Sequence, residues 1–179
     1  RIGDSKQTVE RRLFSSGGIV YRDDAVEAER RRGMPYLNYL ELMPGSAEVR
    51  IYFKTADGRR PQSSDLEGKN MPAGWDLHVV YVGGRSVVEV YKRSQAISEY
   101  ELNELLARQA GDGYWKRPKK DELGPSAFGY EMERSDGAVR ARKLGRNAVM
   151  LFDAETDAKL AEMNEAELIE KAPVSVEGF

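Results

Sequence analysis

Residues 78–91 read "HVVYVGGRSVVEVY" and hold the chain's single histidine, a Gly-Gly pair and an arginine. A phosphate cradle built on Gly83-Gly84 would lead from a strand into a helix N-terminus, where backbone N–H groups converge. Here the run after the glycines alternates with the same period of two as the run before them, so the pair leads into another strand. Gly-Gly also supplies the two positive φ values that a type I′ turn requires. The stretch therefore reads as an antiparallel hairpin. Pairing about its turn sets Tyr81 opposite Ser86, Val79 opposite Val88 and Leu77 opposite Val90 on a core face. The other face pairs His78 with Glu89 and Val80 with Val87.

Two further hairpins follow by the same reasoning. "YLNYLELMPGSAEVRIYF", 36–53, reads as two strands turned at Pro44-Gly45, with Leu40, Leu42, Val49, Ile51 and Phe53 on one face and Glu41 near Glu48. "FGYEMERSDGAVRARKL", 128–144, turns at Asp136-Gly137 and sets Glu133 opposite Arg140 and Glu131 opposite Arg142. That ladder of opposite charges reads as a solvent-facing side of the sheet. "NAVMLF", 147–152, is a last short strand.

Helical signals lie between and around these strands. "GDSKQTVERRLF", 3–14, carries an Asp4/Gln7 capping box and places Val9 and Leu13 on one face, with Gly17-Gly18 as the stop. "SEYELNELLARQAG", 98–111, carries a Ser98/Glu101 capping box, an apolar stripe of Leu102, Leu105 and Leu106, and Gly111 at its end. From Asp153 the chain reads as helix, with a second start signal at Asn164/Glu167 and Pro173 as its end. Its apolar residues Leu160, Met163, Leu168 and Ile169 could dock on the sheet or meet a partner, and docking on its own domain is the expected use. Residues 22–34 read as a loop or a solvated helical turn, and 55–74 as a long polar loop. Together the pattern predicts one α+β domain: an antiparallel sheet of about five to seven strands with two or three helices on one face.

The totals bound the function. The chain has 179 residues, 40% hydrophobic and 32% charged, with no cysteine. That excludes disulfides, thiolate metal sites and cysteine nucleophiles. One histidine cannot supply a ligand cluster, and no cofactor is expected. No apolar run approaches the ~18–20 residues of a membrane span. The sequence opens at Arg1 rather than Met, which fits removal of a signal peptide, with a lipid anchor upstream of Arg1, or else a domain cut from a longer cytosolic protein. Net charge is −2, but residues 153–179 carry eight acids against Lys159 and Lys171, so this segment stands at −6 and the rest at +4. An acidic C-terminal helix on a mildly basic body is the expectation.

Two groups of residues could carry chemistry. His78 beside Glu89 could act as an oriented acid/base, or be a cross-strand surface pair. "YWKRPKK", 114–120, combines Tyr114 and Trp115 with Lys116, Arg117, Lys119 and Lys120, the mixture that stacks bases and contacts phosphates. "RARKLGR", 140–146, adds four cations. The plain alternative is a solvated loop with Trp115 closing the core below the helix at 98–111. A sequence pI of about 5.7 argues against nucleic acid as the partner. Asp57, Asp65, Glu67 and Asp76, in or beside the long loop, are the carboxylates that a glycan or peptide hydrolase could use.

Gly3, Ser5, Val9 and Leu13 resemble the first-helix pattern of small outer-membrane-barrel assembly lipoproteins of the SmpA/OmlA type: Gly, one residue, Thr/Ser, then Val and Leu six and ten positions after the Gly. That family continues with Gly and Pro where this chain has Phe14 to Ser16. Over residues 1–152 the layout is also similar to uncharacterised exported bacterial proteins that share this helix. The resemblance implies an exported protein, periplasmic or associated with the outer membrane, that works by contact with another envelope protein. It carries over no catalytic residues. The function expected is a non-enzymatic binding or scaffolding domain, with a carboxylate-based hydrolase or an anionic-polymer binder as the alternatives.

Overall fold

The computed structural model describes residues 1–66 and 71–179. In chain order the elements are α1 (Lys6–Ser15), β1 (Ile19–Val20), α2 (Asp24–Arg31), β2 (Glu48–Thr55), β3 (Gly74–Val82), β4 (Arg85–Arg93), α3 (Glu99–Ala110), β5 (Trp115–Lys116), β6 (Met132–Arg134), β7 (Val139–Leu144), β8 (Ala148–Asp153) and α4 (Ala154–Val176). The strands form one sheet in the order β1-β2-β3-β4-β8-β7-β6-β5, antiparallel throughout. Two four-stranded meanders thus meet at a β4–β8 seam. The class is α+β, as expected, but among the described residues the sheet has eight strands rather than five to seven, and the helices are more than the two or three expected.

Helices cover both faces of this sheet, which corrects the expectation of one covered face. On one face α1 brings Val9 and Leu13 to Tyr52, Leu77, Val79 and Tyr81, while α3 brings Leu102 and Leu106 to Met132, Ala141, Val149 and Leu151. On the other, Tyr36, Met43 and Phe128 pack on Val80, Val88, Val90, Met150 and Phe152, joined by Leu160 of α4. A sheet covered on both faces has apolar residues at successive positions of its inner strands. That explains the runs "HVVYV" and "VMLF", where strict alternation fails.

Gly83 and Gly84 make the β3–β4 turn with φ of +58° and +75°. Tyr81 pairs with Ser86 as the sequence indicates. Beyond that pair the register slips: Val80 faces Val88, Val79 faces Glu89, His78 faces Val90 and Leu77 faces Tyr91. A β-bulge at Val80/Tyr81 leaves Val87 as the extra residue on β4. One inserted residue turns every later side chain to the opposite face.

Three local expectations are overturned. Residues 36–42 are not a strand: Pro35–Asn38 and Leu40–Leu42 are 3₁₀ turns. Tyr36, Tyr39 and Leu42 recur every three residues, the 3₁₀ repeat, and Pro35 sits at the first helical position, where its missing N–H costs nothing. No hairpin forms at Pro44-Gly45, and Glu41 does not face Glu48. The N-cap of α1 is Ser5, whose Oγ accepts from Thr8 N at 3.1 Å, while Asp4 pairs with Arg12 instead. And α4 runs unbroken past Asn164 and Pro173 to Val176. By contrast α3 keeps its Ser98/Glu101 capping box, and α2 forms at 24–31 on an Asp23 cap.

β6–β7 pairs Glu133 with Arg140 as expected, but this side of the sheet is covered near Arg140. Arg140 is buried and its Nη1 donates to Asp157 Oδ2 at 2.9 Å and to Pro125 O at 2.7 Å, with its guanidinium over the Tyr130 ring. Asp157, fully buried in the first turn of α4, also accepts from the backbone N–H of Ala127 and Phe128 and from Ser126. This knot pins α4 and the 125–128 segment to β7. Farther along α4, Ala154, Asp157, Leu160, Asn164 and Glu167 recur at helical spacing on the body side. From Leu168 on, every described side chain is exposed. The helix overruns the sheet, so only Leu160 of the four apolar residues docks, which corrects the expectation for Met163, Leu168 and Ile169.

Substitutions at Gly84 and at the Arg140–Asp157 pair test these supports. Nothing lies within 4 Å of a Cβ placed on Gly83 or Gly84, so Gly84→Val meets only backbone strain. A loss of about 1–2 kcal/mol is expected in urea unfolding, with a smaller loss for Gly84→Asn. Arg140→Leu strands a buried carboxylate and should cost about 3–5 kcal/mol, while Arg140→Leu/Asp157→Asn should recover part of it in a double-mutant cycle.

Candidate functional site

The bulge divides the two residues that the sequence paired. Glu89 lies under α1 and α3, and His78 lies under the Tyr36 turn, on opposite faces of the sheet. Both are buried, at 1% and 0% exposure. No Glu89–His78 dyad exists, which corrects that pairing.

Each heads its own polar network. Glu89 accepts from Ser86 Oγ at 2.5 Å, Tyr91 Oη at 2.6 Å and Gln109 Nε2 at 3.0 Å. Gln109 comes from the last turn of α3, so the carboxylate ties that helix to β4. Burial, with Glu89 alongside, pushes the Tyr91 hydroxyl well above its ordinary range and keeps it a donor.

On the other face Asp76 and His78 are neighbours on one side of β3. Asp76 accepts from Tyr21 Oη at 2.6 Å and from Arg30 Nη1 at 3.3 Å. Burial raises its carboxyl above the ordinary value, with the Tyr21 bond and Arg30 pulling the other way. His78 Nδ1 lies 2.6 Å from Tyr36 Oη. Burial, reinforced by Lys92, Arg31 and Arg30, depresses the imidazole to about 3, and burial raises the Tyr36 hydroxyl. Both groups are therefore neutral near pH 7. Tyr36 donates to Nδ1, which places the imidazole proton on Nε2, an atom without a hydrogen-bond partner among the described residues. A general acid or base must reach the proton it moves. Tyr36 and His78 are both sealed, so His78 holds Tyr36 in place and faces no substrate.

The loop carboxylates are dispersed in role. Asp57 caps Arg59 N, Asp65 caps Gln62 N, Asp76 is buried as above, and Glu67 lies outside the described residues. Among the described residues no His/Asp/Glu group is arranged to hold a metal ion, and no helix is long and apolar enough to cross a membrane. One cleft of about 240 Å³ lies between the start of α3 and the β7–β8 turn, lined by Ile97, Ser98, Leu102, Lys143, Arg146 and Val149 among others. It contains neither His78, Glu89 nor any residue of 114–120, and of the second basic run only Lys143 and Arg146 reach it.

Tyr114–Lys120 forms the β5 edge of the sheet. Trp115 is half-buried against the α3 layer and its Nε1 donates to Leu106 O at 2.7 Å, so it closes the core beneath that helix. Tyr114 stands 65% exposed. Lys116 approaches Glu133 at 4.0 Å, and Arg117, Lys119 and Lys120 are exposed without an ion partner among the described residues. The second basic run does not extend this patch. Arg140 is spent on Asp157, Arg142 donates to Phe128 O, and Lys143 and Arg146 line the cleft by α3. Glu133 and Glu131 are thus not the neutralising partners of Arg140 and Arg142.

No protein-family model matches the sequence, and no curated protein or solved structure is detectably similar to it.

The buried imidazole makes stability depend on pH. Its pKa is lower in the folded chain than the ordinary 6.5, so the unfolded chain binds more protons below pH 6.5. Stability from His78 is full above pH 6.5 and falls as pH drops toward 3, by up to about 4–5 kcal/mol. Asp76, with its raised value, works in the opposite direction at the acid end. Thermal unfolding between pH 7 and 4 should show the decline. His78→Asn, which keeps an acceptor for Tyr36 but cannot titrate, should be less stable at pH 7 and flatter in this window.

Proposed function

We propose that this protein is a non-enzymatic binding domain of the bacterial cell envelope, acting through contact. The observation that carries the reading is where apolar surface is left uncovered. Leu168, Ile169, Val174 and Val176 of α4 and the terminal Phe179 are each more than 60% exposed, beside Met163 at 44%. Scattered exposed apolar residues need no explanation, but a concentration on one element marks an interaction surface. The titratable groups of the interior point the same way, since Glu89, Asp76, His78 and Asp157 are all buried and engaged in holding layers together. Assignment to the envelope rests on the likeness of residues 3–13 to the outer-membrane assembly lipoproteins.

The occupant of α4 in this reading is a protein surface. A photo-crosslinking residue at position 168, expressed in the source cells, should give a discrete protein adduct in the envelope fraction. The same residue at exposed position 100 should give none. Recovery of the protein in the cytosol, or no adduct at 168, overturns the reading. Leu168→Glu/Ile169→Glu should abolish the adduct with stability unchanged within about 0.5 kcal/mol, because both side chains are exposed.

A further inference from the structure

We infer that the far half of α4 docks on the Tyr114–Lys120 edge of a second copy of this chain, and reciprocally, forming a closed pair. The inference rests on the contact reading above and names the partner of that same helix. Two unsatisfied surfaces of opposite character stand on one molecule. The first is the overrunning end of α4, where Leu168, Ile169, Ala172 and Val176 fall on one side of the helix at spacings of one, three and four residues. Glu165 lies one turn upstream of Ile169 on that side, and Glu162, Glu167, Glu170 and Glu177 leave Lys171, paired with Glu167, as the one cation after Lys159.

The second surface is the β5 edge. Tyr114 is 65% exposed and Leu123 40%, and between them stand the cations Arg117, Lys119 and Lys120. Asp121 and Glu122 share this segment, and the Glu122 side chain is engaged by Lys119 N at 3.0 Å. The patch therefore offers an apolar tyrosine face flanked by unpaired cations, the complement of an apolar helix flanked by acids.

The alternatives are weaker on charge and geometry. Pairing α4 with α4 would bring like-charged glutamates together, which is destabilising. The helix cannot satisfy the edge of its own chain, since both surfaces are exposed at once and α4 packs on β8 and the Leu40–Leu42 turn. A two-residue edge strand is a poor template for an added strand, so side chains rather than backbone must carry the contact. If two copies exchange helices about a two-fold axis, each contact is made twice and no surface is left to propagate.

Light scattering coupled to gel filtration tests this on the 179-residue protein. At about 20 mM NaCl the expected mass is twice that of the chain, falling to the single chain as salt rises to about 500 mM. Leu168→Glu/Ile169→Glu and, separately, Arg117→Glu/Lys119→Glu/Lys120→Glu should each weaken pairing ten-fold or more with unchanged circular dichroism. Glu165→Lys/Glu170→Lys should also be monomeric alone, but should pair when mixed with the Arg117/Lys119/Lys120 reversal, because the charges then complement. A wild-type monomer at every concentration in low salt overturns the inference, as does a dimer indifferent to all three variants. If the wild type is monomeric while position 168 still crosslinks to a different envelope protein, only the second-copy assignment falls. If position 168 crosslinks to nothing, the contact reading falls with it.

Discussion

One extra residue in β4 governs how this molecule is layered. Val87 is the bulge opposite the Val80–Tyr81 step, and it sets which side chains of the two central strands face α1 and α3 and which face Tyr36 and α4. Without it Glu89 would lie beside His78. With it, Glu89 joins Ser86, Tyr91 and Gln109 on one side, and His78 joins Tyr36 on the other. A sheet covered on both faces has no solvent side on which a register error is harmless. Glu89, Asp76, His78 and Asp157 each meet at least one partner from a different element.

Those polar groups act as fasteners between layers. Glu89 joins β4 to α3, Asp76 joins β3 to Tyr21 and α2, and Asp157 joins α4 to β7 and the 125–128 segment. A buried charge is tolerated only when it is paired and hydrogen-bonded. Each of these carboxylates has two or more donors. These buried carboxylates therefore act as structural joints, each held by donors from more than one part of the chain.

Much of the fold was legible from local rules. The Gly83-Gly84 turn, the Ser98/Glu101 cap and the Glu133–Arg140 pairing depend on a few adjacent residues, and they form as read, while the chain reverses at 135–138 with positive φ at Gly137 alone. The region 36–42 misled because a three-residue repeat of aromatic and aliphatic side chains also satisfies a loose alternation. Within the candidate site, the sequence left Trp115 between base stacking and core closure, and packing under Leu106 decides for closure. Arg140–Asp157, Tyr36–His78 and Tyr21–Asp76 join residues 17, 42 and 55 positions apart, and no local pattern announces them.

By itself the sequence determined the class, α+β with an antiparallel sheet, the absence of thiol chemistry and the acidic character of the C-terminal helix, since these follow from composition, turn residues and short-range spacing. Only the tertiary structure decided that both faces of the sheet are covered and that a bulge separates His78 from Glu89. It also decided that Arg140 faces Asp157 rather than water, and that α4 extends beyond the sheet after Glu167. The physical reason is common to all four. Whether a side chain is buried, paired or exposed depends on what another part of the chain places against it, and that is set by packing over long separations rather than by its neighbours in sequence.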